Sequence, residues 1–121
     1  MEEKEWLMLA EADFKTATNS LASKDYYASA FWCQQSAEKA PKAVHIFNSN
    51  ELVKIHDLST LGRLVNLPEE LLKKAALLTP FYTSSRYPLA GINIISDKES
   101  TEKAVSYAGE ILKWCRKKMQ I

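Results

Sequence analysis

Polar side chains set into apolar stretches mark where this chain could carry chemistry. Asp13 falls inside an apolar arc, between Trp6 and Ala17 in helical angle. Gln34 and Glu38 sit at the edge of another arc, with Gln35, Lys39 and Lys42 close by. Arg86 projects near a stripe formed by Leu71, Ala75 and Tyr82, provided the helix continues through Pro80. A carboxylate taken out of water costs on the order of several kcal/mol unless cations or donors meet it. The two acids and Arg86, pointing inward from three helices, are therefore expected to neutralise one another. One outcome is a structural ion-pair and hydrogen-bond network. The other is a polar cleft in which Arg86 and Lys39 hold a phosphate while Tyr82 or Tyr87 offers an aromatic face. Arg suits that role through its planar, bidentate fork. The candidate ligand-binding residues are accordingly Asp13, Gln35, Glu38, Lys39, Tyr82 and Arg86.

Other chemistries find little support. No Gly-rich run precedes a helix, so no phosphate loop is expected. Two cysteines, Cys33 and Cys115, and two distant histidines, His45 and His56, do not make a zinc spacing. The cysteines fall in helical patterns and read as small core residues. The histidines read as surface or capping residues, and no nucleophile has a recognisable base and orienter. No catalytic residue, metal or cofactor is assigned.

The elements that must position these side chains follow from composition and periodicity. The 121 residues fit one domain, 1–121, and can bury a modest core. Apolar residues make up 46% and charged residues 26%, with only 3 glycines, which favours a helical globular chain. A net charge of +1 does not advertise a nucleic-acid binder. No segment approaches the roughly 18 consecutive apolar residues of a membrane span. The acidic start, Glu2-Glu3-Lys4-Glu5, does not resemble a signal peptide. A cytoplasmic protein is expected.

The spacing of Trp6, Ala10, Phe14, Ala17 and Leu21 predicts a first helix over 3–22. A second, over 26–47, is apolar on two arcs: Ala30, Cys33, Ala37 and Val44 on one, Ala28, Trp32, Ala43 and Ile46 on the other. Such a helix is central in its own bundle or shared with another subunit. Pro41 in its interior should bend it or end it early. Leu58, Leu61, Leu64 and Val65 anchor a short third segment. Asn66-Leu67-Pro68-Glu69 predicts a helix start capped by Asn66; Pro80 should interrupt the helix that follows, and Pro88 should end it near Tyr87. Leu89 to Ile95 predicts a loop, with a strand at 92–95 as a further option. Ser96-Asp97-Lys98-Glu99 matches a capping box that opens a last helix reaching Met119. Its stripe is Ala104, Tyr107, Ala108, Ile111, Leu112, Cys115 and Met119. The basic run Arg116-Lys117-Lys118 complements the end of that helix dipole. The expected fold is all-α, an antiparallel four- to five-helix up-and-down bundle.

The second-helix string from Tyr27 through Ala28, Phe31, Gln34-Gln35-Ser36-Ala37-Glu38-Lys39-Ala40 closely resembles the pattern of the HEPN domain family. Ala12-Asp13-Phe14 with Ala17 looks like that family's first-helix signature. His56-Asp57-Leu58 with Leu61, and Arg86-Tyr87-Pro88, resemble its later marks. One departure is Pro41, where the family usually has Leu. The resemblance implies a helical bundle, a homodimer, association with a small nucleotidyltransferase encoded nearby, and nucleotide or RNA binding. Many HEPN members are metal-independent ribonucleases with an Arg followed four to six residues later by a His. There His handles the proton and Arg steadies the phosphate. Here the arginines are Arg63, Arg86 and Arg116, and both histidines precede all of them. A non-catalytic nucleotide-binding or nucleotidyltransferase-partner module is therefore expected. The alternatives are a toxin-type ribonuclease with an altered residue set and a purely structural interaction protein.

Overall fold

A computed structural model describes residues 2–81 and 97–120. The described residues form helices and no strand: α1 (Glu2–Ala22), α2 (Tyr26–Ser49), α3 (Leu58–Leu64), α4 (Glu69–Leu78) and α5 (Lys98–Lys118). The expected all-α bundle is observed. Tyr82, Arg86, Tyr87 and the option of a strand at 92–95 lie outside the described residues.

The α2 helix is the centre of the bundle and packs against all four others. From Ser36 to Val44 every residue except Lys39 is buried, whereas Ala28 and Trp32 of the second arc are only partly covered. Small side chains make this close packing feasible, and Ala37, Ala40 and Ala43 are essentially inaccessible to solvent. Pro41 stands inside this run without terminating it, and the helix continues two residues beyond the expected end at Phe47. Tight burial on every side compensates for the N–H that proline cannot donate.

The α1 and α2 helices run antiparallel and are stitched by two serine hydroxyls. Ser29 Oγ donates to the Ala17 carbonyl at 2.7 Å, and Ser36 Oγ donates to the Ala10 carbonyl at 2.7 Å. Donors and acceptors are each one heptad apart, so the pairs recur on one seam of both helices. The first-helix stripe is rotated from its expected position. Leu7, Ala10, Asp13 and Ala17 are the buried residues, while Trp6, Phe14 and Leu21 are only partly covered. Removing one stitch by Ser36→Ala should lower stability by about 1 kcal/mol, measured by urea denaturation with an unchanged m-value.

Turn chemistry departs from two expectations. Asn66 does not cap α4; Pro68 occupies that position without a side-chain cap bond. Asn66 instead takes φ 62° and closes α3, with Leu67 N–H donating to the Gly62 carbonyl at 2.8 Å and Asn66 N–H to the Arg63 carbonyl at 3.2 Å. Those two bonds are a Schellman termination. At α5 the cap is Asp97, whose carboxylate accepts from Ser100 N–H at 2.7 Å; Ser96 lies outside the described residues. These bonds from Ser100 hold the Asp97 carboxyl below its ordinary value. The expected interruption at Pro80 is seen: α4 ends at Leu78, Thr79 is a turn, and helical geometry resumes at Pro80 and Phe81, while the expected end near Tyr87 lies outside the described residues.

The same termination ends α1, where Lys24 carries φ 65° and Asp25 N–H donates to the Ser20 carbonyl at 2.8 Å. A left-handed lysine costs about 1–2 kcal/mol. Glycine removes that cost but adds about 0.4–1 kcal/mol of chain entropy to the unfolded state. Lys24→Gly should therefore stabilise by roughly 0.5 kcal/mol, visible as a higher denaturation midpoint.

The α5 helix packs antiparallel to both α1 and α4 through Ala104, Ala108, Ile111, Leu112 and Cys115. Cys33 and Cys115 are free and buried among these side chains. Burial pushes the Cys33 thiol up to about 12 and raises Cys115 as well, so both are inert packing residues, as expected.

Candidate functional site

The inward-facing polar residues of α2 meet in two groups; Arg86, the partner expected for both acids, lies outside the described residues. Asp13, one turn below Leu9 on α1, accepts from the Lys39 ammonium of α2. This ion pair joins the two helices across 26 residues of sequence. Among the described residues, Asp13 and Glu38 are met by different cations.

Glu38 lies one residue before Lys39 and faces a separate set. It is 6% exposed, and Lys42, one helical turn on, is 5% exposed. Lys42 Nζ donates to Glu38 Oε2 at 3.0 Å. His56 Nδ1 lies 3.0 Å from the same oxygen. Gln34 Nε2 donates to Oε1 at 3.1 Å. Gln35 Nε2 in turn donates to Gln34 Oε1 at 2.6 Å. The Lys42 ammonium also stands 5.6 Å from the centre of the Trp6 ring of α1. A buried carboxylate is tolerable only with such company. Among the described residues, every buried side-chain nitrogen and oxygen has a partner.

The geometry assigns each group a mechanical task. Gln34 orients one carboxylate oxygen; Lys42 supplies the compensating charge; His56 fastens the extended connector 50–57 to the middle of α2. The neighbouring residues extend that anchorage. Asp57 Oδ2 accepts from Thr60 N–H at 3.1 Å to cap α3, and Leu58 is buried in the core. The Glu38 carboxylate is held by Gln34 on one oxygen and by Lys42 and His56 on the other, which fixes its orientation within the bundle. The partly exposed edge of this seam is formed by Gln35, Lys39 and the His56 ring.

Of the residues expected to form the site, Asp13, Gln35, Glu38 and Lys39 are on this seam. Tyr82 and Arg86 lie outside the described residues. Lys42 and His56 were not expected as the partners of Glu38. Lys42 follows Glu38 at i+4, a standard ion-pair spacing, which is the signal that could have identified it. His45 contacts Ser49 Oγ at 3.2 Å on the exposed side of α2 and takes no part. No cluster of three or more His, Cys, Asp or Glu side chains suited to a metal occurs among the described residues. No described helix is long and apolar enough to cross a membrane.

Comparison with known proteins identifies the family. The family model described as "HEPN domain" matches residues 3–118. The crystal structure of TT1696 from Thermus thermophilus is similar with a TM-score of 0.85 and 28% identity, over 96% of this chain and 97% of that one. The crystal structure of ST0689, an archaeal HEPN homologue, is similar with a TM-score of 0.81 and 28% identity, over 97% of each chain. No curated protein gives a significant match. The string Gln34-Gln35-Ser36-Ala37-Glu38-Lys39 and the His56-Asp57-Leu58 mark, far apart in sequence, meet at one carboxylate. The chain belongs to the HEPN domain family.

Proposed function

We propose that this HEPN protein is a non-catalytic binding module of the cytoplasm, a homodimer that docks a nucleotidyltransferase partner or holds a nucleotide along the α2 seam. The observation that carries the proposal is the engagement of buried Glu38 by Gln34, Lys42 and His56. A catalytic base must be able to exchange its proton with substrate, and this carboxylate is committed to structure. The sequence also has no Arg preceding a His, the order that HEPN ribonucleases use.

The described charges on the seam cancel, with Asp13 paired to Lys39 and Glu38 to Lys42. That neutrality supports docking of a protein surface over capture of a free anion. The nucleotide version depends on Arg86 and Tyr82 joining Lys39. Exposed apolar side chains on α1, Met8 at 68% and Leu9 at 50%, support pairing with a second copy.

Calorimetric titration with ATP separates the versions. Nucleotide capture predicts heat from the wild type and its loss in Arg86→Ala. Docking alone predicts no heat from either, together with co-purification of a co-expressed neighbouring nucleotidyltransferase. Cleavage of single-stranded RNA in EDTA, abolished by His56→Ala, would overturn the non-catalytic assignment.

A further inference from the structure

A groove between α1 and α5 holds cations that the α2 seam does not use. Glu11, Phe14, Lys15 and Thr18 line it from α1, and Gly109, Leu112, Lys113 and Arg116 line it from α5. Both sets follow i, i+3, i+4, i+7 spacing, so two antiparallel helices turn matching faces toward one cleft. Its volume of about 380 Å³ is in the range of small-molecule sites.

Three features give this cleft a definite chemistry. It gathers three cations against the single carboxylate of Glu11, in a chain whose net charge is only +1. Glu11 approaches Arg116 at 3.7 Å, while Lys15 and Lys113 make no ion pair among the described residues. The helix dipole accounts for cations in the last turn of α5, Arg116 included, but not for Lys15 in the middle of α1. The floor is apolar: Phe14 and Leu112 supply it. Gly109 lets the edge of the Phe14 ring pack close to α5, since a Cβ there would stand 3.1 Å from Phe14 Cζ and 3.4 Å from Cε1. Thr18 adds a hydroxyl at the wall. Clustered like charges repel, and an anion seated among them relieves that repulsion.

We infer that this groove binds a small organic anion made of a phosphate group and a flat aromatic body. The phosphate sits among Lys15, Lys113 and Arg116, with Arg116 able to engage two oxygens at once. The aromatic body lies against Phe14 in an edge-to-face or offset arrangement. This site is independent of the α2 seam and of the function proposed for it.

Phenyl phosphate is the probe, titrated into the full chain while backbone amide NMR signals are followed. The expected result is saturable shifts at Thr18, Gly109 and Lys113, with Kd on the order of 0.1–1 mM for so open a cleft. Inorganic phosphate and phenol should each bind at least about 10-fold more weakly. Lys15→Ala and Lys113→Ala, both at exposed positions, should each weaken phenyl phosphate roughly 10-fold, whereas Lys73→Ala on α4 should not. Two results overturn the inference: no saturation at about 10 mM probe, or equal binding of inorganic and phenyl phosphate, which is ion association alone.

Discussion

Glu38→Ala should destabilise the protein by about 3–5 kcal/mol, the largest effect expected of any single polar substitution. The variant leaves the Lys42 ammonium buried beside Trp6 with its carboxylate gone. Gln34 Nε2 loses its acceptor, and His56 loses the contact that fastens the connector to α2. Total stabilities of small domains are about 5–15 kcal/mol, so a large part of the folded state's margin would disappear. Urea denaturation followed by circular dichroism measures this directly. A loss below about 1 kcal/mol would mean that the carboxylate is solvated rather than buried.

Ala17→Leu should cost about 3 kcal/mol or more. Ala17 is fully buried where α1 meets α2, and its carbonyl receives the Ser29 hydroxyl. The added carbons have no cavity to enter, so the helices must separate, and separation also lengthens the Ser29 bond. The matching substitution at an exposed α1 position, Ala12→Leu, should change stability by less than about 0.5 kcal/mol. Thermal unfolding of the two variants under one condition compares them. Equal midpoints would show that α1 and α2 are not in the tight contact described.

Much of this architecture is legible in the sequence because helical periodicity is a local signal. The ranges of α1 and α2, the break before Pro80 and the buried stripe of α5 all follow from spacing and from the few residues that interrupt it. Asp13, Gln35, Glu38 and Lys39 are also legible, because charge inside an apolar arc demands compensation. The identity of the compensating groups is not. Lys42 is visible as a neighbour of Glu38 but does not stand out from Lys39 as its partner, and His56 arrives from a connector whose path no periodicity specifies. Ser29 and Ser36 are missed for a related reason. A helical serine has no strong local meaning, and only its register against Ala17 and Ala10 gives it one. Asn66 suits both a helix start and a left-handed helix end; the Leu67 to Gly62 bond, a tertiary outcome of α3 packing on α4, decides between them.

The residues that carry the family resemblance thereby acquire a physical explanation. Alanines of the α2 string let neighbouring helices approach, its glutamines orient a carboxylate, and its glutamate and lysine hold α1 and the connector in place. The clamp supports two surfaces for which binding is proposed: the edge formed by Gln35 and Lys39, and the cationic groove between α1 and α5.

A double-mutant cycle on Glu38 and Lys42 tests that clamp most directly, with Glu38→Gln, Lys42→Met and the pair combined, each unfolded in urea. A closed and buried ion pair predicts a coupling energy of about 2 kcal/mol, the double variant being far more stable than the two single losses imply. Additivity within about 0.5 kcal/mol would contradict it, because the two side chains would then act as separate, solvated charges.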